Sequence, residues 1–164
     1  MKLRIYGQNK KVAREELRLA VEIMLPRLLS DQMLRHITIY IRQQYSLRLG
    51  KVPVYAFVRI RGEKYPPRDF TIWLDTKQGK RSQLRSIAHE LTHVKQYAKG
   101  EARTLKNGMV RWKDTHCKHS YSFFTPWEVD ATGYEDAIYY SYRDVIQKLK
   151  TRGTGRSRAP RRSR

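Results

Sequence analysis

Hydrophobic residues recur at three- and four-residue spacings in two segments of the chain, which places them on one face of a helix. The first segment runs from Asn9 to about Leu29. Asn9 is a candidate N-cap for it, and Pro26 should kink or end its last turn. The second segment begins near Ser82 and is closed by Gly100, the residue type favoured just after a helix. The pattern therefore predicts two amphipathic helices.

A further helix is predicted from about Pro126 to Lys150. Proline is favoured at the first helical position, Thr125 can cap the helix, and Glu128 follows that cap by three residues, as in a capping box. Residues 151–164 contain six arginines, no acid and no aliphatic side chain larger than alanine. Such a segment cannot bury a core, so we expect one domain over residues 1–150 and a disordered tail over 151–164.

Between the first two helices, the pattern predicts three strands, at residues 36–41, 52–60 and 70–74. Glycines and prolines separate them, and such residues favour chain reversal. Antiparallel pairing of the last two strands is the simplest arrangement. The whole pattern predicts an α+β fold with an N-terminal helix, a three- to four-stranded and mostly antiparallel sheet, a central helix and a C-terminal helix.

The charge of the chain changes the list of candidate partners. Its 164 residues include 35 Lys and Arg against 15 Asp and Glu, a formal charge of +20. A charge of this size attracts polyanions, so nucleic acid is a candidate partner, although high charge can also serve solubility alone. The candidate nucleic-acid contacts are the tail arginines, Arg152, Arg156, Arg158, Arg161, Arg162 and Arg164.

Cysteine usage and hydropathy narrow the class of protein. The single cysteine, Cys117, excludes an intramolecular disulfide. No apolar run has the length of a signal peptide or of a membrane span. We therefore expect a cytoplasmic monomer with no membrane contact.

The sequence His89-Glu90-Leu91-Thr92-His93 lies within the second predicted helix and carries the HExxH pattern. Imidazoles four residues apart lie one turn from each other on a helix, where both can ligate one zinc ion. Glu90 then lies beside the metal and can act as general base toward a water molecule. The alternative is that His89 and His93 are polar residues on a helix whose apolar stripe packs without metal. The position of the motif in mid-helix favours the metal site.

A catalytic zinc site needs a third protein ligand and one open position. The candidates are Glu128, Asp130, His116 and His119. Glu128 fits the role of capping-box carboxylate equally well by spacing. Asp130 can instead orient one imidazole through an outer-shell hydrogen bond. His116, Cys117 and His119 lack the fourth partner that a second tetrahedral site would need.

Three segments of the chain resemble the gluzincin metallopeptidases, in particular the compact, often phage-encoded proteins of the SprT-like or minigluzincin type. They are HELTHVKQYAKGE at 89–101, DFTIWLD at 69–75 and PWEVDA at 126–131. The resemblance covers residues 10 to 150 and implies a small zincin-like domain that binds one Zn²⁺. In the family pattern the third ligand is a glutamate followed three residues later by alanine, which implies Glu128 with Ala131. SprT-like proteins often carry a separate cysteine-rich zinc ribbon, which a chain with one cysteine lacks.

We therefore expect a zinc metalloendopeptidase acting on protein or peptide substrates, in the bacterial host cytoplasm if the chain is phage-encoded. Tyr121, Tyr134, His116 and His119 are candidate donors to the oxyanion. The strand at 69–75 is either a sheet edge that pairs with an extended substrate or an interior strand. The alternative function is a basic nucleic-acid-binding protein with a structural or degenerate metal site, or a DNA-associated SprT-like protease.

Overall fold

The computed structural model of the chain describes residues 1–106, 108–118 and 124–155, and side chains as far as residue 152. It is an α+β protein, as predicted. In chain order its elements are β1 (Lys2–Tyr6), α1 (Arg14–Met24), α2 (Asp31–Leu34), β2 (Thr38–Gln44), β3 (Arg48–Leu49), β4 (Val52–Pro53), β5 (Ala56–Ile60), β6 (Asp69–Asp75), α3 (Lys80–Ala98), β7 (Ala102–Thr104), β8 (Met109–Trp112), β9 (Thr115–Lys118) and α4 (Pro126–Gly155).

The main sheet has four strands in the order β1-β2-β6-β5. Strands β1, β2 and β6 run parallel, and β5 pairs antiparallel with β6, which confirms the predicted pairing of the last two strands. Two smaller antiparallel sheets, β3-β4 and β7-β8-β9, complete the described strands. Antiparallel pairings therefore outnumber parallel ones among the described residues, but within the main sheet two of the three pairings are parallel.

Two predicted strands have different limits in the structure. The segment predicted as one strand over 52–60 is divided into β4 and β5, because the backbone N–H of Val54 turns away to donate to the carbonyl of Leu47. Strand β6 is an interior strand between β2 and β5, so the edge strands of the sheet are β1 and β5, and the edge interpretation of residues 69–75 is wrong.

The start of the first helix also differs from its prediction. Helix α1 begins at Arg14 with Ala13 as N-cap, so Asn9 is not the cap. The side-chain oxygen Oδ1 of Asn9 instead accepts hydrogen bonds from the backbone N–H groups of Lys11 and Val12. Asparagine side chains often form local turns of this kind. At the other end, α1 stops at Met24 and residues 25–27 form a 3₁₀ turn that includes Pro26, as expected for proline inside the pattern.

The two later helices carry the predicted metal ligands. Helix α3 ends at Ala98, and Gly100 follows it with φ of 72°, the left-handed backbone expected of a C-terminal glycine. Helix α4 runs to Gly155, five residues beyond its predicted end, so the first residues of the predicted tail are helical. Residues 156–164 lie outside the described part of the chain. The Thr125 hydroxyl is buried and makes no hydrogen bond to any described residue, so its predicted capping role is not observed.

The main core lies between one face of the four-stranded sheet and the long helices. Alternation along the strands sends every second side chain to this face, while three- and four-residue spacing does the same for the helices. The fully buried members include Leu17, Val21 and Met24 of α1, Ile39 and Ile41 of β2, Phe70, Ile72 and Leu74 of β6, and Ile87, Leu91 and Val94 of α3. Helix α4 contributes Ile138, Tyr139 and Tyr142.

A second, smaller core fixes the beginning of α4. Trp127, in the first turn of α4, packs with Ala102, Val110 and Trp112 of the β7-β8-β9 sheet. The side-chain amide of Gln96 on α3 donates to the Trp127 carbonyl at 2.9 Å. These contacts hold the first turn of α4, which contains Glu128, against the middle of α3.

Gly7 provides a test of the described packing between β1 and β2. It has φ of 92°, and an added Cβ would collide with the carbonyl oxygen of Gln43. We expect Gly7→Ala to reduce the free energy of unfolding by more than ~2 kcal/mol, because backbone strain and a steric clash add. Gly50→Ala is the matched control: Gly50 has φ of 62° but nothing within 4 Å of the added atom, so only the strain of about 1 kcal/mol applies. Equal losses in urea denaturation of the two variants would contradict this packing.

Candidate metal centre

The side chains of three predicted metal ligands, His89, His93 and Glu128, converge where α3 packs against the first turn of α4. The Nε2 atoms of His89 and His93 are 3.2 Å apart. The Glu128 carboxylate bridges them, with one oxygen 3.2 Å from His89 Nε2 and the other 3.4 Å from His93 Nε2. The carboxylate thus faces the imidazoles rather than the backbone of Thr125, so Glu128 is not a capping-box residue.

The spacing of these donor atoms fits a metal ion. The ligand atoms of His89, His93 and Glu128 all lie within 4.8 Å of one another. A tetrahedral centre with metal–ligand bonds of about 2.0–2.2 Å separates its ligand atoms by roughly 3.3–3.6 Å, close to the separations observed here. This group could hold a metal ion through two imidazole nitrogens and one carboxylate.

The imidazole of His93 is oriented by Gln96, one turn further along α3. The Gln96 side-chain amide nitrogen donates to two acceptors, the Trp127 carbonyl and the Asp130 carboxylate, each at 2.9 Å. Its carbonyl oxygen must therefore face His93 Nδ1, which lies 2.8 Å away. A proton held on Nδ1 leaves the Nε2 lone pair free for a metal, the usual outer-shell arrangement of a metal-bound histidine. Gln96 thus connects the Asp130 carboxylate to His93.

The imidazole of His89 is oriented from α4. Its Nδ1 lies 3.3 Å from one carboxylate oxygen of Glu135, and the other oxygen of Glu135 accepts from Arg85 at 2.8 Å. Arg85 also contacts Asp136 at 2.9 Å. Both histidines therefore present Nε2 to the centre and have an acceptor at Nδ1. The same contacts fix the relative position of α3 and α4.

The charges of the site are strongly coupled. Burial lowers the pKa of His89, but hydrogen bonds to the carboxylates of Glu128 and Glu135 outweigh it and raise that pKa to about 10. The pKa of His93 is raised in the same way, against its burial, by the carboxylate of Glu128 and the charge of Glu90. Burial acts to raise the pKa of Glu128, yet hydrogen bonds from both imidazoles hold it at about 2. The Glu128 carboxylate thus favours the protonated form of both imidazoles when no metal ion is bound.

Glu90 lies on the buried side of α3 with 6% of its surface exposed. Burial raises the pKa of its carboxyl group, against the opposing charges of His93 and His89. The backbone N–H of Val58 on the edge strand β5 donates a hydrogen bond to this carboxylate. Glu90 is therefore placed between the two histidines and the sheet edge.

Other predicted site residues are not part of this group. His116 is exposed on β9 and opposite Arg111 in the register, so it is neither a ligand nor an orienting residue in the structure. Tyr134 is 42% exposed, and the centroid of its ring lies 4.9 Å from the ammonium nitrogen of Lys95. Cys117 is partly buried against the small core. His119 and Tyr121 lie outside the described residues, as do the tail arginines after Arg152, which is exposed at the end of α4.

Three residues near the centre were missed by the sequence analysis. Glu135 follows Glu128 by seven residues, two helical turns, so it shares a helix face with the predicted ligand. Gln96 follows His93 by three residues, about one helical turn, so it too lies on the same helix face as a predicted ligand. Burial, together with the charges of Glu128 and Glu90, raises the pKa of the Tyr97 hydroxyl, which therefore keeps its proton near the site. Helical periodicity applied to the ligands themselves would have found all three.

The raised imidazole pKa values predict how metal affinity depends on pH. Each imidazole must lose a proton before its Nε2 can bind a metal, so affinity rises with pH wherever the metal-free histidines are protonated. Since the pKa of His89 is about 10 and that of His93 is also raised, we expect the logarithm of the association constant to rise by ~1 to 2 per pH unit between pH 6 and 9. Competition with a chelator of known affinity measures this slope. A flat profile would contradict the described coupling.

Comparisons with known proteins give no independent assignment. None of the protein-family models, curated proteins or solved structures compared with the chain matches it. Among the described residues, no helix combines the length and the apolar character needed to cross a bilayer.

Proposed function

We propose that this protein is a zinc-dependent metalloendopeptidase with a zincin-like domain. The observation that carries the proposal is the convergence of His89, His93 and Glu128, with Glu90 buried beside them and bonded to the sheet edge. Hydrolysis of a peptide bond by metal-activated water uses a general-base carboxylate and an open metal position, and a free strand edge can hold an extended substrate beside them.

The donor set supports zinc over other common ions. Two imidazoles and one carboxylate form a mixed nitrogen and oxygen set with near-tetrahedral separations, which zinc accepts readily, whereas magnesium and calcium prefer six or more oxygen ligands. Three protein ligands leave a fourth position for water, as in catalytic rather than structural zinc sites.

Glu90 is the general base in this proposal. Zinc held by these residues would supply Lewis-acid chemistry, lowering the pKa of a bound water and polarising the substrate carbonyl. Burial raises the pKa of Glu90, which makes its carboxylate a better proton acceptor near neutral pH. Glu90 accepts a proton from the attacking water and then delivers it to the leaving amine.

The edge strand β5 suits an extended peptide. The Tyr55 carbonyl and the Arg61 N–H are hydrogen-bonded to β6, so the alternate residues Ala56, Val58 and Ile60 direct their backbone groups to the free edge. Because the Val58 N–H holds Glu90, the general base lies at this edge. A substrate paired with β5 would therefore place its main chain next to the base, with little need for side-chain recognition.

The hydroxyl of Tyr97 is the described phenol best suited to contact the oxyanion. It lies one turn after His93 on α3, keeps its proton and is within electrostatic reach of Glu128 and Glu90. Tyr134 is turned toward Lys95 instead.

The proposal is tested with an unfolded protein substrate. The zinc-loaded chain should cleave denatured casein, a chelator should stop cleavage, and added zinc should restore it. His93→Ala should lose cleavage, whereas His116→Ala, which removes an exposed histidine away from the cluster, should retain it. Full zinc occupancy without cleavage would instead favour the alternative function, in which the metal site is structural.

A further inference from the structure

The main sheet has a second face, opposite the helices, that the proposed peptidase site does not use. Arg4 and Tyr6 of β1, Arg42 of β2 and Arg59 of β5 direct exposed side chains to this face. We call it the open face. Its residues fall in register across the four strands: Arg4, Tyr40, Thr71 and Arg59 form one row, and Tyr6, Arg42, Trp73 and Phe57 form the next.

Arginines and aromatic rings lie side by side on the open face. Tyr6 and Tyr40 stack with ring centroids 6.5 Å apart, and Phe57 and Trp73 stack at 4.8 Å. The guanidinium groups lie over these rings: Arg61 is 4.2 Å from the Tyr40 centroid, and Arg59 is 5.5 Å from that of Trp73. The face therefore carries two pairs of partly exposed rings with cations beside them.

The positive charge of the open face is not neutralised within the described chain. None of Arg4, Arg42, Arg59 and Arg61 forms a salt bridge with any residue that the structure describes. The four strands of the sheet contain two acids, Asp69 and Asp75. Asp75 is buried, and its carboxylate accepts the backbone N–H groups of Ser46 and Lys77. Only Asp69, at the start of β6, leaves its charge exposed there.

We infer that the open face binds single-stranded nucleic acid. Phosphates pair with guanidinium groups, and unpaired bases stack on aromatic rings. A face that carries both groups side by side therefore suits a strand that presents phosphates and unpaired bases side by side. A four-stranded sheet is about 14 Å across at its backbone, too broad to enter the major groove of a duplex, which admits a helix or a two-stranded ribbon. Duplex bases are also stacked on each other and unavailable to the rings.

The charge of the whole chain supports the same partner. A formal charge of +20 draws a polyanion to the protein from a distance, and the open face then supplies the specific contacts. An acidic polypeptide would satisfy the arginines but has no planar bases to stack on the exposed ring of Tyr6. The inference does not depend on the peptidase proposal, because the site residues point to the helix side of the sheet.

The test uses fluorescence anisotropy with a labelled oligothymidylate of about 20 nucleotides, a duplex of the same length and polyglutamate as competitor. The first variant combines Arg4→Ala, Arg42→Ala and Arg59→Ala. We expect it to bind the single strand at least tenfold more weakly at moderate salt. Loss of three phosphate contacts should also reduce the slope of log affinity against log salt by about 2.

Two matched controls separate the open face from general charge and general aromatic content. Arg27→Ala, Lys99→Ala and Lys148→Ala together remove the same charge from exposed positions on or beside helices, and should cost much less affinity. Tyr6→Ala should weaken binding roughly 5-fold or more through lost stacking. Tyr140 has the same 44% exposure but lies on α4, so Tyr140→Ala should leave binding of the single strand unchanged. Circular dichroism and thermal melts confirm that each variant is folded.

Several results would overturn the inference. Equal losses in the two triple variants would assign binding to net charge alone. An unchanged affinity in Tyr6→Ala, or a duplex bound as tightly as the single strand, would remove the stacking role of the rings. Competition by polyglutamate as effective as that by unlabelled oligothymidylate would identify the open face as a site for acidic protein instead.

Discussion

Glu90→Gln is expected to bind zinc and fold normally while losing hydrolysis almost completely. Glutamine has nearly the same shape, and its carbonyl oxygen can still accept the Val58 N–H, but it cannot accept a proton from water. Loss of a general base costs about 10²- to 10⁴-fold in rate. Since burial disfavours the charged form of Glu90, the thermal midpoint of the variant should equal or exceed that of the parent.

Glu135→Gln is the comparison for Glu90→Gln. It makes the same chemical change at a carboxylate that contacts His89 Nδ1 rather than the reacting water. It should reduce zinc affinity by about 10- to 100-fold and leave turnover largely intact once zinc is saturating. The two variants thus have opposite effects on affinity and turnover. Normal turnover in Glu90→Gln at full zinc occupancy would exclude Glu90 as the base.

Glu128→Ala is expected to have the largest effect on zinc binding after loss of a histidine. It removes the carboxylate that bridges His89 and His93 and leaves two ligands, too few for tight zinc binding. We expect affinity to fall by well over ~100-fold, more than an outer-shell change produces. Competition with a chelator and the unfolding midpoint should be measured together, because a capping residue would instead cost ~1 kcal/mol of stability and leave the metal bound.

Asp130→Ala is the variant with which the loss of zinc affinity in Glu128→Ala should be compared. Asp130 reaches the centre only through Gln96, so its loss should cost about 10- to 100-fold in zinc affinity. Asp130 also contacts the ammonium group of Lys95 at 3.3 Å, so a small loss of stability is expected as well. Full zinc occupancy in Glu128→Ala at low free zinc would transfer the role of third ligand to another residue.

The sequence predicted those parts of the structure that local spacing determines. Helix α3, its terminal Gly100 and the position of His89, Glu90 and His93 follow from periodicity within about 20 residues. Sequence spacing alone left two possible roles for Glu128, because its position three residues after Thr125 suits a capping-box carboxylate and a metal ligand equally well. The packing of α4 on α3 turns its carboxylate toward the two imidazoles.

Features that depend on long-range pairing were not predictable in the same way. Strand β1 has alternating basic and apolar residues and is followed by Gly7, but five residues at the start of the chain were too short a pattern to predict, and the strand pairs in parallel with the distant β2. Strand β6 became interior for a similar reason, since β2 and β5 both pair with it. The contact between His89 and Glu135 joins residues 46 positions apart, and only the register of two packed helices brings them together.

X-ray absorption at the zinc edge, on protein loaded with one equivalent of zinc, tests the metal centre most directly. If His89, His93 and Glu128 hold the ion, the first shell contains only nitrogen and oxygen at about 2.0–2.2 Å, with the outer scattering of two imidazole rings. A sulfur neighbour at about 2.3 Å would implicate Cys117 instead, and a shell without the two imidazoles would contradict the site altogether.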